Sequence, residues 1–383
     1  MDTNQIYSLL NSVNEQSEGK INITVVDTSS FVSLGDAVLS STANTEPFVN
    51  SLCQLVYRDI VEGRAYNSPL RSLMKGSAEW GAIVRKIAVD MPELVEEEAV
   101  PLTDGQTVDQ YKINLPKVHQ WLFVSRTPYT AFVTIQRRWL KEAFLSESAM
   151  ETFIASIFLK VQNRLELAIE NLTKMSIANY IGLAKPSQTF NLVTLYNKER
   201  GLTEGNALKV GITALHDPEF MRWAVGFIKE LMANINSMST LYNYEGEERF
   251  TPYGKQHLMM LSRFKTQLET VALYGAFNEE YVNIANKEIV PHWQGSGTTA
   301  MDFASQSKVN VNVKSPSGES SGVTLNNVVA VLFDNDAVGA YRKIDEVATT
   351  PLNARGLYTN TFFHEQQLWF NALDENFIVF TLN

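Results

Sequence analysis

Apolar residues recur at helical spacing from Glu151 to Tyr180, within a stretch from Pro128 to Gly182 that has no other proline or glycine. Ile154, Ile157, Phe158, Val161, Leu165, Ile169, Leu172 and Met175 fall on one stripe, and Lys160, Arg164, Glu166, Glu170 and Lys174 lie mostly off it. This pattern predicts one very long helix over 149–181. Ser148 and Glu151 have the spacing of a capping box, in which each side chain bonds the other residue's backbone N–H. Gly182 can take the left-handed conformation that ends a helix. At 1.5 Å per residue the helix is about 50 Å long. A rod of that length outruns a single compact core, so it is expected to span the side of a flat or elongated subunit.

Upstream the period changes from helical to alternating. Arg85 to Val89 and Val108 to Leu115 read as strands, and Thr103-Asp104-Gly105-Gln106 between them reads as a turn. Together they predict a long two-stranded arm. Asp90, Glu93, Glu96, Glu97, Glu98, Asp104 and Asp109 lie between Ile87 and Tyr111 with no basic residue among them. A lone ribbon is marginal in water, so the arm is expected to lie against something basic or well solvated.

The first 45 residues are rich in Ser, Thr, Asn and Asp and read as a partly ordered arm. A helix is predicted from Pro47 to Glu62, with Thr45 as cap and Gly63 as stop. Asp217-Pro218 opens another helix that runs through Trp223, Phe227 and Leu231 to about Asn236, with Asp as cap and Pro at the first helical position. From His257 onward the two kinds of element alternate. Strands are predicted at His257–Leu261, Val290–Trp293, Val309–Val313 and Val328–Phe333, with strand continuing from Val323, and a helix at Arg263–Leu273. A polar loop is predicted at Ser315–Gly322 and a last strand at Glu375–Phe380. The fold class is α+β.

Composition narrows the function. With 383 residues, 45% of them hydrophobic and 19% charged, the chain is expected to form two or three packed units. Its 32 basic and 42 acidic residues, net −10, argue against a general nucleic-acid binder, so any DNA contact is local. No apolar run has the length of a membrane span and no signal peptide is evident, so a soluble intracellular protein is expected. Cys53 is the only cysteine, which excludes intrachain disulfides and thiolate clusters, and it is expected in a core.

Candidate chemistry is sparse. Gly318-Glu319-Ser320-Ser321-Gly322 fits the pattern of a hydrolase nucleophile elbow, with His364 downstream, but a strand rather than a helix is expected after it. A serine hydrolase using Ser320 is therefore the weaker alternative. His119, His216, His257, His292 and His364 show no short-range pairing, and no phosphate-cradling loop occurs. No catalytic residue, metal site or cofactor is assigned. Asp334 and Asp336 fit helix capping better than a cation site.

The order of parts resembles the major capsid protein of tailed bacteriophages, the Hong Kong ninety-seven type of fold. Three stretches are similar to capsid proteins of small short-tailed phages. They are Tyr66-Asn67-Ser68-Pro69-Leu70 with Lys75-Gly76 and Trp80-Gly81, then Trp139 to Ser146 (WLKEAFLS), and Phe370-Asn371-Ala372 with Glu375 to Phe380 (ENFIVF). The resemblance implies an N-terminal arm and first helix over 1–65 and an extended hairpin loop over 83–128. It also implies a peripheral domain of 129–204 with 341–383 around the spine helix 149–181, and an axial domain of 205–340. The C-terminal strands would return to the peripheral domain.

The implied function is a major capsid protein that self-assembles, through hexamers and pentamers, into an icosahedral or prolate head enclosing double-stranded DNA. An encapsulin-like compartment shell shares the fold. Scaffolding, portal or decoration proteins would be further partners, with no membrane. The virion would be its location and the host cytoplasm its place of assembly. Glu96, Glu97 and Glu98 are expected to face basic residues of an adjacent subunit, with Arg137, Arg138, Lys141, Lys160 and Arg164 as candidates.

Overall fold

The computed structural model describes residues 3–383 except 18–20, 22, 63–67, 69, 78–83, 90, 93, 95–102, 108–110, 112, 114, 124–125, 155–159, 274–286, 295–301, 315–317 and 319. The chain begins with helices α1 (Thr3–Gln16), α2 (Thr28–Ser40) and α3 (Thr42–Glu62). Strands β1 (Met74–Ser77), β2 (Val84–Val89), β3 (Val118–Phe123) and β4 (Arg126–Gln136) follow. Next come α4 (Arg137–Ala143), α5 (Glu147–Ile154), α6 (Lys160–Leu183), β5 (Thr189–Asn191), α7 (Leu192–Glu199) and α8 (Pro218–Asn234). The remainder is β6 (Gln256–Leu261), α9 (Ser262–Leu273), β7 (Lys287–Val290), α10 (Phe303–Gln306), β8 (Val309–Lys314) and β9 (Ser320–Leu325). It closes with β10 (Val328–Asp334), β11 (Val338–Thr349), β12 (Tyr358–Asn371) and β13 (Phe377–Thr381).

Two larger sheets organise these elements. One has the order β5-β13-β10-β6-β7 and the other β1-β11-β12-β4, while β2-β3 and β8-β9 form two-stranded ribbons. Val328 to Asp334 and Phe377 to Thr381 are buried at every position, as unbroken apolar strands covered on both faces should be. Helices α6, α8 and α9 supply the cover through Ile177, Tyr180, Ile181, Phe220, Ile228, Phe264 and Leu268. The Tyr180 ring stacks on Phe377 with centroids 3.9 Å apart. The Asp217 cap is realised, its side chain accepting from Phe220 N at 2.8 Å.

The C-terminal strands divide between the sheets. Strand β12 pairs with β4 and β11, whereas β13 pairs with β5 and β10. Only part of the C-terminal segment therefore returns to the sheet that holds β4.

The long-helix segment is described as α5 and α6, with 155–159 outside the described residues. Its start differs from expectation. Ser146 rather than Ser148 caps it, accepting from Ala149 N at 3.2 Å, while the Ser148 carbonyl accepts from Thr152 within the helix. Its end differs too. Gly182 is inside α6, where a Cβ would meet Val311 Cγ2 at 2.5 Å, so this glycine is required by the close approach of β8. The stop comes at Lys185, whose backbone is extended ahead of Pro186.

The helix stripe is also partly revised. Ile154, Val161, Leu165, Ile169 and Leu172 are buried, but Met175 is exposed, and Glu166 and Glu170 are buried. The face of β12 that α6 covers is itself polar, with Glu365 and Gln367 buried on it. Arg342 of β11 joins the two layers, 2.7 Å from Glu365 and 3.8 Å from Glu166, and Lys174 pairs with Glu170 at 2.7 Å.

The N-terminal segment is three helices rather than a partly ordered arm followed by one helix. Ile6, Leu9, Leu10 and Val13 form one helical stripe and Phe31, Leu34 and Val38 another. Both pack with Phe48, Leu52, Leu140, Phe144, Met150 and Phe153 in a second core. Polar composition masked these stripes, because four apolar residues suffice when all lie on one face. Helix α3 starts at Thr42, with Thr45 and Pro47 inside it. Cys53 lies in this core, 3.4 Å from Thr361 Oγ1, and burial pushes its thiol up to about 12.

Candidate inter-subunit surfaces

In the ribbon, Val84–Val89 pairs antiparallel with Val118–Phe123, so the second strand lies later than the predicted Val108–Leu115. The turn at Thr103–Gln106 is present. Gln106 N donates to Thr103 O at 3.1 Å and Gly105 has φ +89°, the left-handed region that glycine occupies freely. Tyr111, Ile113 and Leu115, which alternate along the chain, are 82%, 80% and 81% exposed, and Leu94 is fully exposed. Tip and root contrast sharply. At the root Lys86 Nζ reaches Asp374 at 2.5 Å and Glu375 at 2.6 Å, and Trp121 donates to Glu245 at 3.0 Å. Burial lifts the Glu375 carboxyl above its ordinary value against the opposing pull of Lys86.

A second surface runs between β4 and α6. Two adjoining grooves of about 450 and 430 Å³ share Thr130, Ala131 and Arg164, and their lining includes Phe132, Trp139, Lys160, Leu167 and Met175. Phe132 of β4 is 74% exposed because only the inner face of that edge strand meets the helices, and Trp139 of α4 is nearly half exposed. Lys160 and Arg164, one helical turn apart on α6, are exposed and make no ion pair among the described residues. An apolar floor with a basic rim suits an acidic, apolar segment.

The candidate residues separate into three groups. Lys141, Lys160 and Arg164 are exposed on α4 and α6, and the last two line a groove. Arg138 pairs with Glu142 at 3.0 Å on the surface, and Arg137 donates to the Leu39 carbonyl of its own chain, which commits it internally. Glu96, Glu97 and Glu98 lie outside the described residues. Phe132 and Trp139 were missed as surface residues. For Phe132 the alternating stretch ending at Gln136 was the available signal, and Trp139 lies beyond it on α4.

The alternative sites do not form. Ser320 opens β9, exposed and opposite Lys314 in a ribbon, with strand rather than helix after it, and His364 lies on β12 hydrogen-bonded to Thr130. The predicted run from Val323 to Phe333 breaks at Asn327, where φ is +57°, so β9 and β10 belong to different sheets. Asp334-Asn335-Asp336 is the turn into β11 and caps no helix. Asp334 accepts from Asp336 N, and Asp336 lies between Lys75 at 2.9 Å and Lys255 at 3.1 Å. Burial raises the Asp336 carboxyl, but the two lysines outweigh it and hold the group below its usual value. Trp293 follows rather than ends β7, its indole donating to Val328 O at 2.8 Å. Among the described residues no acidic, His or Cys group is placed to hold a metal, and no helix is long and apolar enough to cross a membrane.

Residues 10–381 match the family model described as the Phi29-like phage major capsid protein. The chain belongs to that family. It is 23% identical to the major capsid protein of Bacillus phage B103 over 94% of this chain and 70% of that one. It is 22% identical to that of Bacillus phage PZA, over 98% and 72%. Its fold matches a chain in the capsid structure of Staphylococcus phage Andhra at TM-score 0.55 and 11% identity, covering 83% of this chain and 85% of the other. A chain from the head-fiber and inner-core structure of bacteriophage P68 matches at TM-score 0.52 and 9% identity, over 83% and 86%. The α+β architecture is thus that of tailed-phage capsid proteins, the Hong Kong ninety-seven type, and the protein's role is structural.

Proposed function

We propose that this chain assembles through hexamers and pentamers into an icosahedral or prolate head around double-stranded DNA, each subunit laying its hairpin on the next. The exposure of Ile113 and Leu115, 80% and 81%, carries this reading, because large apolar side chains left in water favour a cover supplied by a neighbouring subunit. The groove between β4 and α6 is the proposed seat, its Lys160 and Arg164 answering the acidic run Glu96-Glu97-Glu98. Rim pairs of this type contribute at most about 1 kcal/mol each and weaken with salt, so they set register and assembly rate more than final stability. Many modest contacts repeated over a shell add up through multivalency.

In domain terms the hairpin is 83–128, the peripheral unit 129–204 with most of 341–383, and the axial unit 205–340 with β13 joined to its sheet. The subunit acts without catalysis or cofactor, touches packaged DNA only locally, and assembles in the host cytoplasm. Scaffolding, portal or decoration proteins are its further partners. Electron microscopy of the purified protein, with analysis of nuclease-protected contents, tests the reading. Closed shells holding DNA are expected. Rings or open oligomers would refute the shell, and shells filled with a protein cargo would assign a compartment instead.

A further inference from the structure

The hairpin root, the turn between β12 and β13, the loop of residues 237–252 and the C-terminal half of α6 all meet at one carboxylate. The Asp374 side chain is fully buried. Its Oδ2 lies 2.5 Å from Lys86 Nζ of β2 and 3.0 Å from the Arg249 guanidinium of the loop, while Oδ1 has no hydrogen-bond partner among the described residues. Lys86 also lies 5.5 Å from the ring centre of Trp121, its register partner across the ribbon. From Trp121 the indole donates to Glu245 of the same loop, and His119 sits 3.9 Å from Glu247. Backbone bonds from Tyr244 and Glu245 to Leu373 O fasten the loop to the turn. Tyr180 of α6 donates to Ala372 O and Glu375 O on its other side.

Two cations on two different elements therefore share a single buried oxygen. Moving either one away leaves the buried charge less neutralised, and in a low-dielectric site that cost is large, so the two elements hold one joint arrangement. Beyond Lys86 the chain runs to the exposed hairpin tip. Around Arg249 the loop exposes Met238, Leu241 and Phe250. Both are apolar surfaces that the subunit leaves open.

We propose that the Asp374 turn is an electrostatic coupling element that ties the angle of the hairpin to the conformation of loop 237–252. A contact made at either surface then biases the other, and the bias must be reciprocal. This goes beyond the shell reading and stands or fails in the unassembled chain, so failure to form shells leaves it unaffected.

Hydrogen exchange on the full-length chain before assembly is the test. Arg249→Met should speed amide exchange in β2 and β3 by about tenfold, within the usual range of coupling energies. Lys86→Met should speed exchange across 237–252 by a similar factor, Lys86→Arg should restore the original rates, and β10 should stay protected throughout. If each substitution alters exchange only within its own element, the coupling is overturned. Should Arg249→Met also cost β10 its protection, the milder Arg249→Gln decides. Faster exchange in β2 with β10 still protected supports the coupling, and an unchanged β2 refutes it.

Discussion

Strand β13 and the β2–β3 ribbon both carry apolar residues in extended backbone, and their surroundings are opposite. All five residues from Phe377 to Thr381 are buried between β5 and β10, while Ile87, Val89, Val118 and Leu122 are each about half exposed in a ribbon that is two-stranded among the described residues. The first set is satisfied within the chain and holds the subunit together. The second is left open, and burial of that kind becomes available only when another copy arrives. The same division runs through the ribbon itself, whose root is fixed by Lys86 and Trp121 and whose tip is not covered.

Six variants, the last of them followed by pH titration, test this contrast. The largest effect is expected at Phe380, whose truncation to Ala should cost roughly 3–5 kcal/mol in denaturant unfolding and leave little folded subunit. A loss below about 1 kcal/mol would place the stabilising core elsewhere. Arg342→Met strands Glu166 and Glu365 in the interior, and a loss of about 3 kcal/mol is expected, since removing one partner of a buried ion pair exposes the desolvation cost of the other. Thermal unfolding of this variant and of Glu365→Gln would check it, the second being milder because it removes a charge rather than orphaning two.

At the tip, Ile113→Asp with Leu115→Asp should leave subunit stability within about 0.5 kcal/mol while abolishing shells in the microscope. A large loss of subunit stability would mean that the tip packs on its own body. Reversing Glu96, Glu97 and Glu98 to Lys should slow assembly and flatten its salt dependence, as light scattering would record. Unchanged kinetics would reject the pairing with the basic groove. The smallest effect concerns Asp336. Its folded pKa lies below the ordinary aspartate value, so its contribution is present above that ordinary value and fades as pH falls through the folded one. Being partly exposed, it should contribute under about 1 kcal/mol, seen as a slightly altered acid limb in Asp336→Asn.

Much of this architecture was legible from local pattern alone. The unbroken apolar runs at Val328 and Phe377, the Asp217-Pro218 helix start and the Asp-Gly turn at Gly105 all follow from residues that act within a few positions of themselves. What escaped depends on distant partners. Gly182 reads as a helix stop until Val311 is seen against it, and Glu166 reads as a solvent residue until Arg342 and Glu365 arrive from β11 and β12. The second ribbon strand was misplaced because Val108–Leu115 alternates more cleanly than Val118–Phe123, and only pairing with β2 reveals the latter. Among the proposed site residues, charge and helical spacing point to Lys160 and Arg164, and both line the groove. Those signals could not reveal that Arg137 is already committed to Leu39.

Crosslinking decides whether the hairpin tip of one subunit seats in the groove of another. Cys53 is buried with its thiol pushed up to about 12, so cysteines introduced at Ile113 of the tip and Asn171 of the groove can be addressed separately. In particles co-assembled from Ile113→Cys and Asn171→Cys subunits, a short bifunctional maleimide is predicted to join one chain to another and give covalent dimers on a denaturing gel. Mixed particles without dimers, or a double variant that crosslinks within a single unassembled chain, would exclude that seating.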